Sequence, residues 1–127
     1  MAYAADEVLF DVIWPGASRD QLALFSEGTE DPNPIHVDEA FAKRAGFPTV
    51  LQQGPMTTAH FARLLEDRIG RDRLEILDVN FLAPVFPEED LRLVATVTEA
   101  GARVTCALVA AKADGTETAR GEATFRA

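Results

Sequence analysis

The sequence is poor in several of the residues on which common chemistries depend. It has one cysteine, Cys106, in 127 residues. An internal disulfide is therefore excluded, and so is a cysteine-based metal cluster. Cys106 lies in an apolar run, which points to inert packing. There are two histidines, His36 and His60, far apart in sequence and with no second ligand at helical spacing, so no metal site is expected. Basic residues are scarce: 12 Lys and Arg stand against 21 Asp and Glu, a net charge of −9. No basic stripe is available to neutralise phosphates, which argues against nucleic acid as a partner. A small phosphorylated ligand needs only a local cluster, and Arg68, Arg71 and Arg73 lie close together in sequence. No apolar run is long enough to span a membrane. The first residues lack the basic and long apolar regions of a signal peptide, so a cytoplasmic protein is expected. There is no phosphate-cradling glycine loop, no nucleophile elbow and no Cys-His pair at a useful position.

What remains is ordinary for a globular protein: 47% hydrophobic and 26% charged residues. The length suggests one domain over residues 1–127. Residues 7–14 alternate, with Val8, Phe10, Val12 and Trp14 expected on the buried face of a first strand. Ser18 suits a helix N-cap, and Leu22 and Phe25 give the following helix an apolar side. Asp38 can cap a second short helix, Glu39 to Arg44, with Phe41 and Ala45 facing inward and Gly46 ending it. Pro55 in a first turn and Gly70 at the end bracket the longest helical pattern, with Met56, Phe61, Leu64, Leu65 and Ile69 as its apolar face. From Leu74 onward the pattern is β: four runs, the last two joined by Asp114-Gly115, a strong hairpin signal. Consecutive strands with short turns predict a meander covered by the one long helix, an α+β layer with a curved antiparallel sheet. Free sheet edges invite strand-to-strand dimerisation.

The segment Thr29-Glu30-Asp31-Pro32-Asn33-Pro34-Ile35-His36 holds an acid five residues before a histidine. Fully extended, five residues reach about 17 Å, so the two side chains can act together only if the chain curls. Asp-Pro-Asn is favourable turn chemistry, and each proline restrains its own φ and the residue before it. Taken alone, the segment fits a capped turn with an ordinary histidine as well as it fits an aimed acid–imidazole pair. The long helix adds a third component, because its N-terminal amides around Gly54, followed by Met56 or Thr57, suit a developing negative charge. Acid, imidazole and oxyanion donor together suit proton transfer at carbons next to a carbonyl.

Phe25-Ser26, the segment from Thr29 to His36, and then Asp38, Ala42, Gly46 and Gly54 resemble the hydratase 2 motif of MaoC-like proteins, the (R)-specific enoyl-CoA hydratases. The resemblance is close from Phe25 to about Ile69 and implies a hot-dog fold, a central helix wrapped by an antiparallel sheet, usually in a dimer. It implies reversible hydration of trans-2-enoyl thioesters to (3R)-3-hydroxyacyl thioesters, on coenzyme A or an acyl carrier protein, with no cofactor. By position, Asp31 and His36 become the catalytic pair, Asn33 supports the loop or the pair, and Gly54 donates to the thioester oxygen, with Gln53 and Met56 beside it. Two stretches depart from the family pattern: Glu30 replaces a usual glycine, and Gln53-Gly54-Pro55 replaces His-Gly-Met. Two other readings compete. A hot-dog thioesterase would place an acid early on the long helix, where this chain has none before Glu66. A non-catalytic acyl-binding subunit of a heteromeric dehydratase would not need both Asp31 and His36.

Overall fold

A computed structural model describes residues 2–127. In chain order the elements are strand β1 (Val8–Trp14), helices α1 (Arg19–Gly28), α2 (Glu39–Arg44) and α3 (Gly54–Ile69), then strands β2 (Leu74–Phe81), β3 (Leu91–Glu99), β4 (Arg103–Ala111) and β5 (Glu117–Arg126). No helix among the described residues is long and apolar enough to cross a membrane.

Alternation builds the sheet's inner face. Leu91, Leu93, Ala95 and Val97 on β3 and Val104, Cys106, Leu108 and Ala110 on β4 are all buried. Phe61, Leu65 and Ile69 of α3 are buried in the same core. Their spacing of four residues is one face of a helix. Each such large side chain contributes about 1.5–3 kcal/mol on burial. Cys106 is among them, and burial pushes its thiol pKa up to about 11, which agrees with a packing role.

The strand order is β1-β3-β4-β5-β2, antiparallel throughout. Only β3, β4 and β5 form the expected meander. β2 pairs with β5 instead of β3, because residues 82–90 are a long connection and not a tight turn. That connection is anchored elsewhere: Gln52 N–H donates to Val85 O at 2.7 Å, and Gly16 N–H to the Asp90 carboxylate at 2.8 Å. A second difference lies in β1. The register shifts between Val8 and Phe10, so Leu9 is buried and Val8 is turned out. The third is in α2, where Ala42 is fully buried while Phe41 and Ala45 are exposed. Ala42 belongs to a second, smaller core with Ala17, Leu22, Val50 and Met56. Its small side chain suits the tight space of that core.

Candidate active site

The loop is built by local hydrogen bonds. The α1 helix opens with a capping box: Ser18 Oγ accepts from Gln21 N–H, and Gln21 accepts back from Ser18 N–H. After Thr29 the chain reverses at Glu30, whose φ of 54° lies in the left-handed region. That conformation explains why glycine is usual there, and a glutamate holds it with some strain. Asp31 N–H then donates to Ser26 O at 2.9 Å. The Asp31 carboxylate accepts from Asn33 N–H at 3.0 Å, and Asn33 Oδ1 accepts from Ile35 N–H at 3.1 Å. These two successive side-chain turns wind Pro34–His36 into a 3-10 turn. Asn33 thus supports the loop, and its side chain is committed to capping.

The curl brings acid and imidazole together. His36 Nε2 lies 3.5 Å from Asp31 Oδ2, with the side chains 13% and 32% exposed. On the other side of the ring, Nδ1 is 2.9 Å from Leu51 O. A carbonyl only accepts, so Nδ1 is the donor there and Nε2 is the ring nitrogen turned toward Asp31. Nε2 and the Asp31 carboxylate together offer two polar partners to one water. Leu51 also fixes the turn through its own N–H, which donates to Ile35 O at 3.1 Å.

His36 lines a cavity of about 370 Å³ with Gln52, Gly54, Thr57, Phe81 and Thr118 among its other walls. Asp31 flanks His36 and is not itself among the lining residues. At the head of α3, Met56 N–H is committed to Gln53 O at 3.1 Å and Pro55 has none to give. Gly54 N–H has no acceptor among the described residues and remains available at the positive end of the helix. A Cβ at Gly54 would meet the Phe81 ring at 2.6 Å, so glycine is what lets this aromatic side chain lie across the helix N-terminus.

Of the other expected site residues, Gln53 also lines this cavity but commits its side-chain amide elsewhere, and Met56 lies outside it. Gln53 is 1% exposed, and its Nε2 donates to Leu22 O and Ser26 Oγ, both at 2.8 Å. It ties α1 to the head of α3 and so holds the residue, Ser26, on which the Asp31 turn rests. Its Oε1 is buried without a partner. Met56 packs in the second core and lines a different cavity of about 470 Å³, with Trp14, Phe25 and His60. His60 stacks on Trp14 with ring centroids 4.2 Å apart, and burial lowers its pKa. Gln52, Phe81 and Thr118 are additions that the sequence did not single out. Gln52 Nε2 donates to Thr57 Oγ1 at 3.2 Å, a buried polar pair in the cavity wall. Among the described residues, no three His, Cys, Asp or Glu side chains are grouped to hold a metal ion.

Comparison with known proteins fits this geometry. Residues 5–119 match the family described as MaoC like domain. The chain is 35% identical over 91 residues to 3-hydroxyacyl-thioester dehydratase Y of Mycobacterium tuberculosis, covering 68% of this chain and 31% of that one. It is 36% identical over 76 residues to the peroxisomal hydratase-dehydrogenase-epimerase of Saccharomyces cerevisiae, covering 60% of this chain and 8% of that protein. It therefore spans less than a third of these relatives' lengths. The (R)-hydratase from A. caviae involved in PHA biosynthesis superposes with a TM-score of 0.83 at 24% identity, over 94% of this chain and 96% of that one. The five-stranded antiparallel sheet with its long helix is the hot-dog fold, and the chain belongs to the MaoC-like dehydratase family.

Proposed function

We propose that the protein is an (R)-specific hydratase/dehydratase that interconverts trans-2-enoyl thioesters and (3R)-3-hydroxyacyl thioesters, acting as a homodimer on an acyl-coenzyme A. The observation that carries this reading is the orientation of His36, whose Nδ1 is committed to Leu51 O so that Nε2 faces Asp31 Oδ2 at 3.5 Å. In the hydration direction the pair holds one water. The water oxygen adds to C3 of the enoyl group as the Asp31–His36 pair takes a proton, negative charge moves to the thioester oxygen, and that proton returns to C2. Gly54 N–H and the α3 dipole stabilise the oxygen while it bears charge. Dehydration is the same path reversed. A thioesterase is less well supported, because the acids of α3 are Glu66 and Asp67, in its last turn, and Asp67 is paired with Arg63.

The test is the loss of conjugated-enone absorbance with crotonyl-CoA and a longer enoyl-CoA. Asp31→Ala and His36→Ala are each expected to slow hydration roughly 10²–10⁴-fold, with circular dichroism unchanged. Thiol release without hydration would replace this reading with a thioesterase. Substrate binding without turnover in the wild type would replace it with a non-catalytic subunit.

A further inference from the structure

Phe81 is the last residue of β2, and its ring is placed unlike the rings of the core. It is 52% exposed, whereas Phe61 and Phe125 are at 0%. Its burial therefore contributes less to stability than theirs. The main chain here is held by β5: Phe81 pairs with Ala119, and Leu82 N–H donates to Thr118 O at 2.9 Å. From that fixed point the ring reaches across to the head of α3. Three of its carbons, Cε2, Cδ2 and Cζ, stand 2.6–2.8 Å from where a Cβ at residue 54 would be. The Gly54 Cα carries both that Cβ position and the amide nitrogen, so the ring walls one side of the Gly54 amide.

That amide is an open donor in the wall of the His36 cavity. Pro55 has no N–H, and Met56 N–H is bonded to Gln53 O. The side-chain amides beside it are committed too: Gln53 Nε2 to Leu22 O and Ser26 Oγ, and Gln52 Nε2 to Thr57 Oγ1. Among the described residues nothing accepts from Gly54 N–H, so water is what a ligand oxygen has to displace there. A donor at a helix N-terminus carries partial positive charge, and its attraction for a developing oxyanion grows as water is kept away. An apolar ring against the amide keeps water from that side. Glycine at 54 and the aromatic ring at 81 thus work as one device, because a Cβ at 54 would push the ring off.

Resting on the function proposed above, we propose that Phe81 is a positioning residue of the reaction: its ring keeps water off the Gly54 amide, so that the thioester oxygen is the amide's partner while it bears charge. The ring acts through the amide and takes no proton. Its effect belongs to kcat more than to KM, because the charge it helps to stabilise develops in the transition state and is absent from the bound substrate.

The test joins kinetics to a spectroscopic readout. Butyryl-CoA has neither the double bond nor the hydroxyl group and does not react, so carbon-13 at its thioester carbonyl reports the pull of the amide by difference infrared. On binding to the wild type, the carbonyl stretch is expected to fall below its value in water. In Phe81→Ala that fall is expected to shrink. The kcat for crotonyl-CoA is expected to drop roughly tenfold, short of the roughly 10²–10³-fold that loss of a whole oxyanion donor costs. KM is expected to change less than kcat. Phe81→Leu, which restores an apolar wall, is expected to recover most of both. Gly54→Ala keeps the N–H but displaces the ring, so it is expected to copy Phe81→Ala, and the double variant to lose no more than either one. A raised KM with kcat and the stretch unchanged makes Phe81 a contact surface only and overturns the proposal. Losses that add in the double variant overturn it as well. So does a shift lost together with a change in oligomeric state, which assigns the ring to a subunit contact. If the wild type hydrates no enoyl thioester, the function proposed above fails by itself. The infrared shift needs binding alone and still decides whether Phe81 governs the amide, and its absence in the wild type at saturating butyryl-CoA overturns the proposal.

Discussion

The two sides of α3 are held together in different ways. Toward the sheet, Phe61, Leu65 and Ile69 join a continuous core whose strands contribute large, alternating apolar side chains. Toward α1 and α2 the core is small, and Ala17 and Ala42 make up two of its five buried apolar members. That second side is positioned instead by directional bonds: the Ser18 capping box, the Asp31 and Asn33 turns, the Asp38 cap on Phe41 N–H, and Gln53 reaching to Leu22 and Ser26. Burial supplies stability without fixing an angle, whereas a chain of caps fixes where a side chain points. The site sits on the side that needs aim.

The comparison breaks most visibly if function and stability are perturbed together. Phe61→Ala on the sheet side is expected to cost about 3–5 kcal/mol of stability, read as a fall in Tm, with kcat retained wherever the protein stays folded. This is the reverse of the expected behaviour of Asp31→Ala, which removes activity and leaves the fold. If Phe61→Ala abolishes activity in a folded protein, the two sides are not independent. Gln53→Ala should fall between them. It removes the buried bonds to Leu22 O and Ser26 Oγ and is expected to cost about 1–3 kcal/mol. It should also lower kcat, because the Asp31 turn hangs from Ser26. A stability loss with unchanged kcat would show that Gln53 merely fills space. The smallest expected effect belongs to His60, on the flank of α3 that faces Trp14. Burial holds its pKa below the ordinary 6.5, so the unfolded chain binds that proton more readily than the folded one. Stability should be level above pH 6.5 and decline as pH falls below it toward the folded pKa. In His60→Phe that part of the decline should vanish from the pH dependence of urea unfolding.

Local rules account for what could be read in advance. Asp38 caps Glu39–Arg44, α3 runs from Gly54 to Ile69, and the Asp31–His36 loop curls, each because a cap, a proline or a terminal glycine acts within a few residues. What escaped the sequence was non-local or depended on a short period. The pairing of β2 with β5 is decided by the path of residues 82–90, and the turned-out Val8 by a bulge against β3. Six residues of α2 are too few for a periodic pattern to choose between Phe41 and Ala42. Met56 is close to Gly54 in sequence, yet two steps along a helix turn the side chain by roughly 200°. That rotation carries it to the flank opposite the His36 cavity. Phe81 reaches the site through a non-local contact, the end of β2 lying on Gly54, which no local pattern encodes.

The hydrogen bond from His36 Nδ1 to Leu51 O sets how vulnerable the pair is to mutation. Asp31 is a side chain, and a single codon change removes it. The group that orients His36 is main chain, and no substitution at position 51 deletes a carbonyl. Leu51 lines the same cavity, so a substitution there reshapes the cavity wall, yet the acceptor that orients His36 survives it so long as the backbone stays in place. The two halves of the pair thus differ in genetic exposure: the acid can be lost in one step, while the direction of the imidazole can be lost only by refolding the segment that holds it.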